Sequence, residues 1–329
     1  MPKTFWHLAT EQRLPNDYEL VSSQLTYHTR YPTAVRTPAA DFHARHACDL
    51  QVSDWEDFAD PQQTTYASYV ATRRDREVFA DQLLAVCDSG DYDAALPSTW
   101  LSALDAVVSP LRYPCHGLQL AAAYVAQAAP SGQLTVMASF QAADELRRIS
   151  RLAYRTRQLM NAHPGFAQAA KSDWQSAEHW QPLRALIEQL LITYNWTEAF
   201  CALNLIVKPL FDELYSRQLA SLALEHRDDV LGRLLSSLHE DQRWHAEVAS
   251  AWAHFAIAHG HEERIRSVLE RWLPRTREAL LAAAKPLAAL CEPSRLVQTL
   301  DAAHAFTLAQ CGLQTDSSND PTELPRSAE

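Results

Sequence analysis

The sequence predicts an all-α protein built as a large bundle of long helices. Three observations predict it. Glycine is scarce, at 7 of 329 residues, or about 2% against an average near ~7%. Rossmann sheets, phosphate-cradling loops and turn-rich β folds all use glycine where backbone must bend or approach a ligand, so the composition argues against them. Apolar residues also recur at steps of three and four over stretches of about 30 residues. Prolines and glycines, finally, fall mostly between those stretches, where antiparallel helices would be joined. A hydrophobic fraction of 47% supplies a sizeable core.

Residues 1–57 show no sustained period. Pro2, Pro15, Pro32 and Pro38 punctuate them, with Phe5, Trp6, Tyr18, Tyr27, Tyr31, Phe42 and Trp55 between. A polar disordered tail lacks such aromatics, so this reads as an extended arm lying on a partner or on its own domain. The bundle domain follows over 58–312. Asp60-Pro61 reads as an N-cap followed by proline at the first helical position, opening a helix that runs to about Asp88. A second helix covers about Ser98 to Ala129, with the stripe Leu104, Val108, Leu111, Cys115, Leu118, Ala122, Val125 and Ala129, and kinks expected at Pro110 and Pro114. A third runs from Gly132 to about His163, with Val136, Phe140, Ala143, Leu146, Ile149 and Ala153 expected inward. A shorter helix is expected over about 180–192, and another from about Asn195 to about His226, bent at Pro209. The next, about 228–259, closes at Gly260. Two pieces over 262–290, broken at Pro274, and a last helix after Pro293 complete the domain. Residues 313–329 read as a disordered tail. No repeat of 20–50 residues is present, which argues against a solenoid.

Charge and cysteines exclude several function classes. The net charge is 29 − 40 = −11, so no global basic field favours nucleic acid or an anionic membrane. The six cysteines (Cys48, Cys87, Cys115, Cys201, Cys291, Cys311) are far apart, with no Cys-x-x-Cys pair. That fits reduced thiols in a cytoplasmic protein. No signal core and no run of 18 apolar residues is present.

A long-helix bundle invites a carboxylate-bridged di-iron site, with two lone glutamates and two Glu-x-x-His pairs. The i,i+3 spacing puts both ligands of a pair on one helical face. No glutamate here has histidine three residues later; Asp301 and His304 alone have the related Asp-x-x-His spacing, which fits a surface contact. Two near misses remain. Glu145 is followed at the ligand spacing by Arg148, and Asp241 by Trp244. The second helix offers only Asp105 as an acid, with Cys115 and Ala122 on its stripe. These residues predict no catalytic, cofactor or metal site in this chain. Asp241 and His245 fall on the apolar stripe of the 228–259 helix. If buried, the carboxylate needs an i+4 histidine or an arginine from the third helix. Arg147, Arg148, Arg151, Arg155 and Arg157 crowd that third helix and read as ion-pair partners of acidic neighbours. His254, His259 and His261 read as cations near a helix end. No nucleophile elbow, P-loop or Cys/His arrangement is present.

The near misses carry a resemblance. Thr4 to Ala9, Tyr18 to Ser22, Trp55 to Tyr69, Ser109 to Tyr113, Ala142 to Thr156, and Trp196 to Pro209 are similar to the β (small, non-iron) subunit of the hydroxylase of bacterial multicomponent di-iron monooxygenases, in the toluene and alkene monooxygenase group. The likeness spans about residues 4–275. It implies a ferritin-like bundle homologous to the iron-binding α subunit but stripped of the metal site. The α signature Asp-Glu-x-Arg-His aligns with Asp144 to Arg148 and with Glu240 to Trp244, making Glu145, Arg148, Asp241 and Trp244 vacated ligand slots, with Cys115 near the lone-carboxylate slot. The resemblance further implies a structural β subunit in an (αβγ)2 hydroxylase with α and γ subunits and di-iron in α. An NADH reductase with FAD and [2Fe-2S], a small effector protein and, in many members, a separate Rieske ferredoxin would serve it. The reaction implied is NADH- and O2-dependent oxidation of small aromatics or alkenes. A helical adaptor outside any oxygenase is the competing reading.

Overall fold

The structure, a computed structural model, describes residues 15–24 and 48–313. The described residues contain no strand. Helix α1 (Asp17–Gln24) precedes a 3-10 turn at Trp55–Asp57, then α2 (Tyr66–Leu84), the short α3 (Asp91–Ala94), α4 (Ser98–Gln127), α5 (Gly132–Ala162), α6 (Ala170–Ser176) and α7 (Gln181–Leu191). A composite helix α8 spans 196–225. It is followed by α9 (Asp229–Ala258), α10 (Glu262–Ala283), a 3-10 turn at Lys285–Ala289 and α11 (Pro293–Gln310). Helices α4, α5, α8 and α9 form the central bundle; α2 packs on α9 and α5, α10 on α7 and α8, and α11 on α8.

The long helices fall where their periods place them. The whole expected stripe of α4, Leu104 to Ala129, is buried, and α4 continues through Pro110 and Pro114. Gly117 lets α4 approach α7, because a Cβ there would collide with the Ile187 side chain. Ile187 is β-branched and stiff. Gly117→Ala is therefore expected to destabilise by about 1–3 kcal/mol despite alanine's better helix propensity, read from the urea midpoint.

Four expectations need correction. The first long helix begins at Tyr66, where Thr65 and Ser68 form a reciprocal capping box. Asp60 instead closes a turn: its carboxylate accepts from the N–H groups of Gln62 and Thr64, both at 2.9 Å. Helix α10 passes through Pro274 unbroken; Pro274 and Glu270, whose carbonyl loses its partner, are exposed, so water can satisfy that oxygen. The inward face of α5 is not the apolar stripe. Ala143 and Leu146 are exposed, whereas Gln141, Asp144, Glu145, Arg148 and Arg155 are buried. The arm, lastly, is not extended throughout: it holds the helix α1, whose Tyr18 hydroxyl donates to Gln133 Oε1 at 3.2 Å, and Trp55 packs 6.1 Å from Trp196 and 5.7 Å from Phe255. The expected disordered tail lies outside the described residues apart from Leu313, which is buried.

Helix α8 is the unusual element. It alternates α-helix with two π-helical segments, Ala202–Val207 and Glu213–Gln218. The Lys208 and Leu219 N–H groups each bond a carbonyl five residues back, Leu203 and Leu214. In a pure α-helix a four-residue step drifts by about 40°. The wider π turns cancel that drift, so Asn204, Lys208, Asp212 and Ser216 stay on one face toward α5 and α9.

Candidate functional site

The face of α8 meets the polar face of α5 in a closed loop of four buried charges. Arg148 Nε donates to Glu145 Oε2 at 2.9 Å and Arg148 Nη1 to Asp212 Oδ1 at 2.6 Å. Lys208 Nζ donates to Glu145 Oε1 at 2.7 Å and to Asp212 Oδ2 at 2.5 Å. None of the four residues exceeds 4% exposure. Two anions and two cations alternate, so the loop is neutral and each carboxylate is shared by both cations. The Arg148 guanidinium also lies 5.2 Å from the Phe211 ring centroid. Burial pushes the Asp212 carboxyl up, but Lys208 and Arg148 outweigh it and hold it below its ordinary range. Cys115, fully buried on α4, lies within electrostatic reach of all four groups, and burial pushes its thiol up to about 12.

A second cluster lies on the α2 side of α5. Asp144 accepts from Tyr69 Oη at 2.9 Å, from Arg73 at 2.8 and 2.6 Å, and from His245 Nε2 at 2.9 Å. Asp241 pairs with Arg73 at 3.2 Å and with Arg76 and Arg147. The expected arginine from the third helix does reach Asp241, but His245 bonds Asp144 in preference to its i+4 neighbour. A third cluster anchors the end of the bundle: Arg155 pairs with Asp93 at 2.7 Å, and Asp228, which takes the Trp100 indole at 3.1 Å, caps α9. Arg147, Arg148, Arg151 and Arg155 are thus all ion-paired, as their crowding predicted, while Arg157 is exposed. His259 and His261 bond backbone carbonyls of Phe255 and Gln51, and Asp301 pairs with Arg277 at 2.8 Å.

Burial pushes the Asp144 carboxyl up, but hydrogen bonds from Arg73 and His245 outweigh it and hold it well below the usual range. An unfolded aspartate titrates near ~3.9. The unfolded chain therefore takes up protons first as pH falls, and the stability supplied by Asp144 and Asp212 is present above about pH 4 and lost below it. Urea midpoints measured from pH 7 to pH 3 are expected to drop on the acid limb, and to drop less in Asp144→Asn.

The four slot residues do not come together. Glu145 and Arg148 belong to the neutral loop. Asp241 faces α2, and Trp244 donates its indole N–H to Asp60 Oδ1 at 3.2 Å, 6.2 Å from the Phe140 ring. The α9 side chains turned toward the bundle are Gln242, whose Nε2 donates to Ser216 Oγ at 3.0 Å, and His245. Gln242-x-x-His245 has the i,i+3 ligand spacing, one residue on from the expected pair. A search restricted to glutamate and aspartate passes over it. Lys208 and Asp212 were also missed, although a polar residue at every fourth position of the apolar run 199–224 is a visible signal. No group of three or more His, Cys, Asp or Glu suited to a metal exists among the described residues. The loop's donor set does not fit an iron pair: two cations already neutralise its carboxylates.

Helix order, bundle packing and the buried polar face define a ferritin-like helical bundle with ion pairs buried between its central helices. Residues 26–260 match the family described as Methane/Phenol/Alkene Hydroxylase, and the chain belongs to it, as a β subunit of the hydroxylase of a multicomponent monooxygenase. It is 32% identical to the hydroxylase component subunit beta of the toluene-4-monooxygenase system of Ectopseudomonas mendocina, over 85% of this chain and 90% of the relative. It is 25% identical to DmpL, an oxygenase component of phenol 2-monooxygenase from Pseudomonas sp. (strain CF600), over 84% of this chain and 83% of the relative. A solved structure of toluene 4-monooxygenase with toluene in its resting active site contains a chain that superposes with TM-score 0.80 at 30% identity, covering 88% of this chain and 98% of that one. No described helix is long and apolar enough to cross a membrane.

Proposed function

We propose that this chain is the non-catalytic, structural subunit of its hydroxylase, bracing α subunits that bear the di-iron centre. The observation that carries the reading is the buried loop of Glu145, Arg148, Lys208 and Asp212. It keeps the bundle closed with protein cations where a metalloprotein of this architecture would use metal ions. On this reading the vacated ligand shell is Cys115, Glu145, Arg148, Lys208, Gln242 and His245. The run Asp241-Gln242-Arg243-Trp244-His245 then matches Asp-Glu-x-Arg-His at its first residue and its last, with Gln242 at the glutamate position and Trp244 at the arginine position, one step on from the register at Glu240. The cross-bond from Asp144 to His245 supports that register, because it joins the first residue of one run to the last of the other.

The hydroxylase is then an (αβγ)2 complex that oxidises small aromatics or alkenes with O2. Electrons come from NADH through a reductase carrying FAD and [2Fe-2S], with a Rieske ferredoxin and an effector protein binding transiently. Obligate interfaces of such complexes bury about 2,000–5,000 Å²; the arm, about residues 1–57, would contribute to one of them where it leaves its own bundle. Purification through a tag on this chain, after co-expression with α-type and γ-type partners, is expected to yield a complex with iron in α. The chain alone should hold none. Tight stoichiometric iron in the isolated chain, or failure to co-purify, would defeat the proposal.

A further inference from the structure

Two cavities meet on the face where α8 and α9 adjoin. The larger, about 950 Å³, lies between α8, α9 and α11; the smaller, about 10 Å³, lies inside the bundle between α5, α8 and α9. Asn204, His245 and Ala249 line both and so form the partition between them. Asn204 and His245 are each only 5% exposed. Each keeps one buried nitrogen without a hydrogen-bond partner among the described residues, Asn204 Nδ2 and His245 Nδ1. Their other polar atoms are committed: Asn204 Oδ1 accepts from Gln141 Nε2 at 2.8 Å, and His245 Nε2 bonds Asp144 Oδ2. Nε2 carries the proton donated to the Asp144 carboxylate, and in the tautomer with that proton alone Nδ1 is an acceptor. Asn204 owes its inward position to the first π segment of α8, an irregularity that recurs at functional sites.

The partition therefore holds, buried between the two cavities, one donor and, in that tautomer, one acceptor, a pattern that a single hydroxyl group entering it would satisfy. The cations that line the cavity are committed: Lys208 is held in the neutral loop, Arg217 pairs with Glu213 and Arg243 with Glu240, while the exposed carboxylate of Glu247 takes the Gln62 amide. Its remaining lining includes Leu205, Ala246, Ala302, Ala303 and Phe306, an apolar surface suited to a hydrocarbon body. A volume of this order is typical of small-molecule sites, which combine an apolar lining with a few placed polar groups.

We infer that this cavity binds a small neutral alcohol or phenol, its hydroxyl accepting from Asn204 Nδ2 and donating to His245 Nδ1. The inference stands apart from the subunit reading, since ligand binding by the full chain and co-purification with partners are separate measurements. Water is the competing occupant, because the inner pocket is about the size of one molecule.

The test is a titration of the full chain with 4-fluorophenol followed by fluorine NMR, with fluorobenzene as the probe lacking a hydroxyl. Saturable binding of 4-fluorophenol, at least ten-fold tighter than fluorobenzene, is expected. Asn204→Leu should weaken 4-fluorophenol binding at least ten-fold and leave fluorobenzene unchanged. Ala303→Phe fills the cavity from α11, away from the polar pair, and should abolish binding of both; it decides the matter even if Asn204→Leu does not fold. Absence of saturable binding, equal affinity for the two probes, or full 4-fluorophenol binding by Ala303→Phe would each overturn the inference and leave water as the occupant.

Discussion

Replacing Arg148 with alanine is expected to lower the unfolding free energy by about 3–5 kcal/mol, a large share of the ~5–15 kcal/mol that holds a protein folded. Arg148 bonds both Glu145 and Asp212, so its removal leaves two carboxylates in a dry site with Lys208 as their one remaining cation. The loss comes from stranding charge. A companion variant separates that from the intrinsic worth of the loop: Glu145→Leu, Arg148→Met, Lys208→Met and Asp212→Leu together should be neutral or stabilising by about 1–4 kcal/mol, since all four desolvation costs disappear at once. Urea denaturation at pH 7 measures both. A single-variant loss under about 1 kcal/mol would mean that water reaches the loop and screens it.

Four other substitutions should turn the site into a metal centre. Cys115→Glu, Arg148→His, Lys208→Glu and Gln242→Glu, with Glu145 and His245 retained, bring four carboxylates and two imidazoles to the facing helices α4, α5, α8 and α9. That is the ligand set of a dinuclear carboxylate bundle, and binding of about two Co(II) per chain is expected. Dialysis followed by metal analysis gives the stoichiometry, and visible absorption reports the ligand field. Arg148→His with Trp244→His is the control and should bind none, because Trp244 faces Asp60 and Phe140. The control should also lose stability, by less than the ~3–5 kcal/mol of a tryptophan truncated to alanine. Metal in the control and none in the four-fold variant would put the slots back at Asp241 and Trp244.

Much of the bundle was legible because long apolar stripes fix long helices. Leu104 to Ala129 and Leu231 to Trp252 were readable residue by residue. Helix α5 shows where such reading stops. Its buried face mixes Leu134, Met137, Leu152 and Leu159 with Asp144, Glu145, Arg148 and Arg155, so hydrophobicity alone misplaces the middle of the helix. The arginines announced ion pairs without saying which lay inside. On the proposed register the second signature run starts one residue later than at Glu240, and composition gives no sign of it, since Trp244 is large and aromatic and Gln242 is not an acid. Only contact geometry tells that Gln242 turns toward Ser216 while Trp244 turns toward Asp60. The π turns of α8 left just one trace, four polar residues at every fourth position. A period of four belongs to neither helix nor strand, and an α-helical template scatters it around the axis.

The alternating charges of the buried loop also have a historical consequence. Each of its members satisfies two others, so a lineage that regains one metal ligand by a single substitution, such as Lys208→Glu, first passes through a molecule with three acids facing one arginine. By the cost expected for one stranded charge, that intermediate forfeits a large part of its fold before any ion could compensate. Ligands must return together to be tolerated. If the loop stands in a vacated metal site, as proposed, it works as a ratchet: with two protein cations settled between the helices, a return to metal chemistry in this chain is closed to stepwise change.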